Sequence, residues 1–116
     1  MDKKGAKGYW LSTATVVDQE LFSEYVKKVS PWLKEVGGKI FAKDTSPQGK
    51  EKTEDANLAV ICEFPSMRLA VEAYESNTYQ ELSKIRLAAT KNATFTIMEG
   101  MDESEKLRRA MGKEVN

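Results

Sequence analysis

The sequence predicts an α+β domain in which four antiparallel strands form one sheet and the helices gather on one of its faces. Three observations carry this. Short runs rich in β-branched and aromatic residues alternate with amphipathic stretches. Their order is strand, helix, strand, strand, helix pair, strand. At 116 residues the chain has the length of one domain, able to bury roughly two thirds of the surface that its unfolded form exposes.

Gly8 to Val17 is the first strand, and Asp18 follows as an N-cap whose carboxylate can accept free backbone N–H bonds. From Leu21 the apolar residues Phe22, Tyr25, Val26, Val29, Leu33 and Val36 recur at helical spacing, with Glu20, Glu24, Lys27, Lys28 and Lys34 opposite. Pro31 predicts a kink, or a restart with Ser30 as a fresh cap, because proline removes a donor and crowds the preceding turn. Gly37 suits the left-handed position that ends the helix.

Lys39 to Lys43 is a short second strand, and the polar stretch from Asp44 to Asn57 a hairpin loop. Leu58 to Phe64 is apolar at both parities apart from Glu63, which predicts a strand covered on both sides. Pro65 and Ser66 open a helix carrying Met67, Ala70, Val71 and Tyr74. It breaks at Ser76 and Asn77, and Asn77 with Gln80 has the register of a capping box for a second helix bearing Leu82, Ile85 and Ala89. Thr94 to Glu99 is the last strand and Gly100 closes it. Asp102 caps a final helix, so residues 1–100 form the domain and 101–116 a helical tail.

This order is that of the ferredoxin-like β-α-β-β-α-β fold, whose two crossovers place the helices on one face. The other face is left bare. Since Leu58 to Phe64 and the first strand supply apolar groups at both parities, a second copy of the sheet is the economical cover, and a homodimer is expected. The alternative is that the C-terminal helix covers the sheet within a monomer.

Composition narrows the chemistry. Eighteen basic and eighteen acidic side chains cancel, which removes the main electrostatic support for nucleic-acid binding. No apolar run approaches the ~20 residues needed to span a bilayer, and the opening Met1, Asp2, Lys3, Lys4 lacks a secretory pattern; a cytoplasmic protein is expected, with no membrane partner. Histidine is absent, which excludes Ser-His-Asp and Cys-His hydrolases and withholds the usual metal ligand. No metal-ligand spacing, phosphate loop or dinucleotide fingerprint occurs, so neither a metal nor an organic cofactor is expected. Cys62, alone in an apolar run, reads as a small buried hydrophobe.

Two charged residues stand out as candidate catalytic groups. Glu63 ends an apolar strand, where burial would raise its pKa toward a useful acid/base range; the alternative is that it pairs with Arg86 or caps backbone donors near Pro65. Arg86 belongs to the helix that carries Leu82, Ile85 and Ala89, so its guanidinium can reach a substrate carboxylate or an internal acid. Tyr9, Trp10, Tyr74 and Tyr79 are candidate walls of a ligand pocket between sheet and helices, or else core. Glu99 either faces the same space or ends the sheet.

The run Lys7, Gly8, Tyr9, Trp10, then Val17 and Asp18, Gly37 and Gly38, Glu63 to Ser66, Tyr74, Ser76, Tyr79, Gln80, Arg86, Glu99 and Gly100 resembles the family catalogued as domain of unknown function 1330. The resemblance spans Lys7 to Gly100. It implies a dimeric α/β-barrel, in a superfamily that also holds cofactor-free monooxygenases, lactone isomerases and haem-degrading enzymes; the family itself has no established reaction. The charged Asp44 to Asn57 loop and the tail after Gly100 depart from its usual pattern. Three functions remain open: a binder of a small aromatic or carboxylate-bearing metabolite, a cofactor-independent monooxygenase or isomerase with Glu63 as base, and a structural or interaction module.

Overall fold

The computed structural model describes residues 5–51, 56–102 and 104, so the expected tail helix falls almost wholly outside the described residues. The chain runs β1 (Gly8–Val16), α1 (Gln19–Glu35), β2 (Lys39–Asp44), β3 (Leu58–Phe64), α2 (Met67–Glu75), α3 (Asn77–Ala88) and β4 (Thr90–Glu99). The strands form one sheet in the order β2-β3-β1-β4, with every neighbouring pair antiparallel. This is the ferredoxin-like α+β arrangement expected from the element order, with the second crossover split into two helices.

Side-chain alternation divides the sheet into two unlike faces. Trp10 lies opposite Cys62 and Ile97, and these residues point toward the helices with Phe64 and Phe95. Tyr9, Leu11, Ile61, Glu63 and Met98 occupy the other face by the same pairing. Of the β3 residues, Leu58, Cys62 and Phe64 are buried, whereas Ala59, Ile61 and Glu63 are only half-buried. A single copy therefore covers one side of the strand that the sequence marks as apolar on both.

The core on the helix side is built around Trp10. Its ring meets Phe64 and Tyr79 at 4.8 Å between centroids, and Phe95 at 5.1 Å. Its indole Nε1 donates to the Ala70 carbonyl at 2.9 Å, which removes the penalty of burying an unmade donor. Ala70 and Ala73 give α2 a face small enough to approach the sheet.

Helix ends follow from local chemistry. Asp18 accepts from Leu21 N, as its type and position suggested. At the other end of α1, Gly37 (φ +88) allows Gly38 N to donate to Leu33 O and Gly37 N to donate to Lys34 O, a Schellman closure. Three local expectations need correction. α1 is one 17-residue helix that runs through Pro31 without a restart, and Ser30 Oγ donates back to Val26 O instead of capping. The carbonyl left without a donor by Pro31 belongs to Lys27, and both residues are exposed to water, so the helix tolerates the loss. Ser76, not Asn77, opens α3: its hydroxyl accepts from Tyr79 N and donates to Ala73 O, closing one helix and starting the next. β4 begins at Thr90 rather than Thr94. Its first residues are polar, and a register shift opposite Thr13 and Thr15 together with Asn92 at φ 53 breaks the alternation that marks a strand.

The close approach of α2 to β1 yields a test. A Cβ at Gly8 would lie 2.4 Å from Ser66 O and 2.8 Å from Met67 Cα, both backbone atoms, whereas one at Gly38 would meet the side chains of Leu33 and Phe64 at 2.7 and 2.9 Å. Gly8→Ala is expected to lower stability by about 3 kcal/mol or more and Gly38→Ala by less, because side chains can turn away and backbone cannot. Urea midpoints of the two variants check the ranking; an equal or smaller loss for Gly8→Ala contradicts it.

Candidate functional site

Between the sheet and helices α1 and α3 lies a cavity of about 120 Å³, room for several waters or a small organic molecule. Trp10, Cys62 and Phe95 form its floor, Tyr25 enters from α1, and Tyr79 and Arg86 descend from α3. Tyr79 and Arg86 stand seven positions apart, two helical turns, which sets them on the same face of α3.

The polar groups in this cavity are few and unusual. Tyr25 and Tyr79 share a hydrogen bond of 2.8 Å between their hydroxyls, in which either can donate. Burial pushes the Tyr25 hydroxyl far above its ordinary pKa, reinforced by Tyr79. Burial also raises Tyr79, partly opposed by the hydrogen bond from Tyr25 and the charge of Arg86. Both phenols are neutral donors at physiological pH. The Cys62 thiol is pushed up to about 11 by burial, so it remains protonated and has little nucleophilic character, in keeping with the reading of a buried hydrophobe.

Arg86 is the outlier. It is 7 % exposed, its guanidinium carbon stands 5.1 Å from the centre of the Phe95 ring, and its Nε has no hydrogen-bond partner. Among the described residues no carboxylate forms an ion pair with it. A guanidinium keeps its proton in proteins and its burial is costly unless an anion answers it. The Phe95 ring, whose quadrupole attracts a cation, and a hydrogen bond to the Tyr79 hydroxyl offset part of that penalty, but leave the Nε–H unsatisfied.

The sequence-derived candidates separate into two places. Trp10, Tyr79 and Arg86 come together at the cavity. Tyr74 packs on Phe95 at 4.8 Å and on Tyr79 at 5.6 Å, backing the wall. Tyr9 and Glu63 lie on the opposite face of the sheet: Tyr9 hydroxyl donates to Glu63 Oε2 at 3.0 Å, and Lys39 Nζ stands 3.3 Å from Oε1. Glu63 therefore does not pair with Arg86, because one-residue alternation along β3 turns it away from the helices. Its pKa is also not raised as expected. Burial alone would raise it, but the hydrogen bonds from Tyr9 and Lys39 and the charges of Lys39 and Lys7 outweigh that and hold it below 4.5. Glu99 pairs with Gly8 at the end of β4 and does not line the cavity. Tyr25, Phe95 and Lys43 line the cavity and were not singled out by sequence; for Tyr25 the available signal was a hydroxyl in the apolar stripe of α1, which must find a partner when buried.

A family model described as "Domain of unknown function (DUF1330)" matches residues 7–101, most of the chain. The chain belongs to the DUF1330 family. Among solved structures, a protein of unknown function from Rhodopseudomonas palustris is similar at 18 % identity with a TM-score of 0.68, over 87 % of this chain and 86 % of that one. A hydroxynitrile lyase from Passiflora edulis is similar at 12 % identity with a TM-score of 0.64, covering 84 % and 94 %. A putative antibiotic biosynthesis monooxygenase from Caulobacter crescentus follows at 14 % and 0.55, covering 87 % and 94 %. At these identities the likeness establishes the shared α+β fold and nothing of the chemistry. No curated protein matches the chain. Among the described residues, no helix of this DUF1330 member is long and apolar enough to cross a membrane, and no group of three or more acidic, histidine or cysteine side chains could hold a metal ion.

The depressed pKa of Glu63 has a signed consequence. A carboxylate whose folded value lies below its unfolded one stabilises the fold above the unfolded pKa, and that contribution disappears as pH falls through the folded value. Glu63→Gln is expected to flatten the loss of stability below pH 4.5, measured as urea midpoints across the acid limb. An acid limb as steep as that of the parent protein would contradict the Tyr9 and Lys39 contacts.

Proposed function

We propose that this DUF1330 protein binds a small carboxylate-bearing metabolite, with an aromatic or aliphatic body, in the cavity between sheet and helices, and that it does so as a cytosolic homodimer. The observation that carries the reading is the buried, unpaired Nε of Arg86. A carboxylate is the planar acceptor that suits a guanidinium edge, and the Tyr25–Tyr79 hydroxyl pair adds a neutral donor beside it. The rest of the cavity is largely apolar, with Trp10, Phe22 and Phe95 offering flat contact to the ligand body. A reaction with Glu63 as base receives less support: that carboxylate is on the far face of the sheet, ion-paired and of weakened basicity.

Arg86→Met tests the reading because binding and stability move in opposite directions. Benzoate and hexanoate are expected to bind the parent protein and their neutral amides to bind at least about ten-fold more weakly, as befits loss of a charge-assisted hydrogen bond. The variant is expected to lose the preference for the acids and to gain about 1 kcal/mol or more in stability, since a buried cation is replaced by an apolar chain of similar length. Calorimetric titration and urea unfolding give the two readouts. Equal binding of acids and amides by the parent, or a less stable variant with intact binding, overturns the proposal.

The homodimer is supported by the bare face of the sheet. Leu11 and Ile61 lie opposite each other at its centre, flanked by Phe41, which is 60 % exposed, and Met98, which is 47 % exposed. Tyr9 packs its ring edge-on to Phe41, joining β1 to the edge strand β2 in one apolar surface. Such a face is satisfied by a two-fold copy of itself. Leu11→Arg is expected to shift the sedimenting species from dimer to monomer at micromolar protein; a parent protein that sediments as a monomer contradicts the assembly.

A further inference from the structure

We propose that the cavity is selective for an elongated dianion, with one carboxylate on Arg86 and a second acidic group on Lys43 at the mouth; this rests on the carboxylate reading above. The observation is a row of residues running across the sheet. Lys43 on β2 lies opposite Val60 on β3, Val60 opposite Ser12 on β1, and Ser12 opposite Phe95 on β4. Cross-strand partners share a face, and all four of these residues line the cavity. The guanidinium of Arg86 sits above Phe95, so the row has a cation at each end.

The two cations differ in setting. Arg86 is buried at the inner end, whereas Lys43 is exposed at the edge strand and makes no ion pair with a described residue. Among the described residues no acidic side chain lines the space between them. Three strand spacings place the Cα positions of Lys43 and Phe95 roughly 14 Å apart, and the Arg86 guanidinium reaches the Phe95 end from α3. Val60 and Ser12 form the floor in between, apolar with one hydroxyl, which suits a short methylene or aromatic spacer. A monoanion would engage only Arg86. A linear diacid of medium length satisfies both ends without burying its outer charge, because Lys43 meets it at the water boundary.

The β2 bulge contributes to this geometry. Ile40 pairs with Cys62 and Ala42 with Ile61, so Phe41 is an extra residue in β2. Both Ile40 and Lys43 thereby face the helix side and line the cavity, whereas unbroken alternation would have set them on opposite faces.

The test uses adipate, suberate and sebacate, each compared by calorimetric titration with its own monoamide, which keeps the length and removes one charge. The parent protein is expected to bind at least one diacid roughly two- to five-fold more tightly than its monoamide, the range for a pair at a water boundary. Lys43→Ala is expected to erase that difference while leaving monoamide affinity unchanged, and Lys43→Glu to reverse it. High salt is expected to weaken the diacid advantage more than monoamide binding, since the outer pair is screened and the inner one is not. If diacids and monoamides bind alike and Lys43→Ala changes neither, the dianion assignment falls while carboxylate recognition by Arg86 stands. Failure of every acid to bind, monoamides included, overturns both.

Discussion

A guanidinium buried without a carboxylate is the constraint from which the rest of this site follows. Arg86 is nearly enclosed, its Nε donates to nothing, and its charge is met by the Phe95 ring and the Tyr79 hydroxyl instead of an anion. Replacing such a group with an apolar side chain would suit the fold better, since desolvating a charge is repaid only by close partners. Retaining it makes sense under the proposed binding of an external anion. The scaffold sets the geometry around it. Ser76 ends α2 and begins α3, and α3 then presents Tyr79 and Arg86 to the same space. Trp10 fixes the floor through its bond to Ala70 and its ring contacts with Phe95 and Tyr79.

The sheet acts as a divider between two kinds of chemistry. On the helix side lies a cationic cavity that no carboxylate of a described residue lines; on the other lies the Tyr9–Glu63–Lys39 group within an apolar surface. Glu63 and Arg86, the two charged candidates of the sequence, lie on opposite sides of the sheet. Whatever the bare face does, its carboxylate is already satisfied by a phenol and an ammonium, which makes it a tie between β1, β2 and β3.

The fold was largely legible because its determinants are local and periodic. Asp18 and Gly37 announce the two ends of α1 through donor chemistry and left-handed backbone, and the structure uses both as expected. The restart expected at Pro31 does not occur because the carbonyl it frees, that of Lys27 on the polar face of α1, is open to water, so one lost donor does not end the helix. Thr90 to Ala93 were invisible as strand because a bulge with Asn92 in left-handed conformation disrupts the alternation. The site was legible by residue type and not by grouping. Arg86, Tyr79 and Trp10 were recognisable as candidates, but whether Glu63 joins them depends on strand parity relative to the helices. Lys43 was hidden further, because its orientation is set by an extra residue in β2.

The claim that Arg86 awaits an external anion is tested most directly by anomalous diffraction from crystals soaked in 4-bromobenzoate. The expected result is a bromine peak inside the cavity, with the carboxylate within about 3 Å of Arg86 Nε and the ring against Trp10 and Phe95. Bromine scattering only at the surface, with Arg86 paired to a carboxylate of the protein itself, would contradict it.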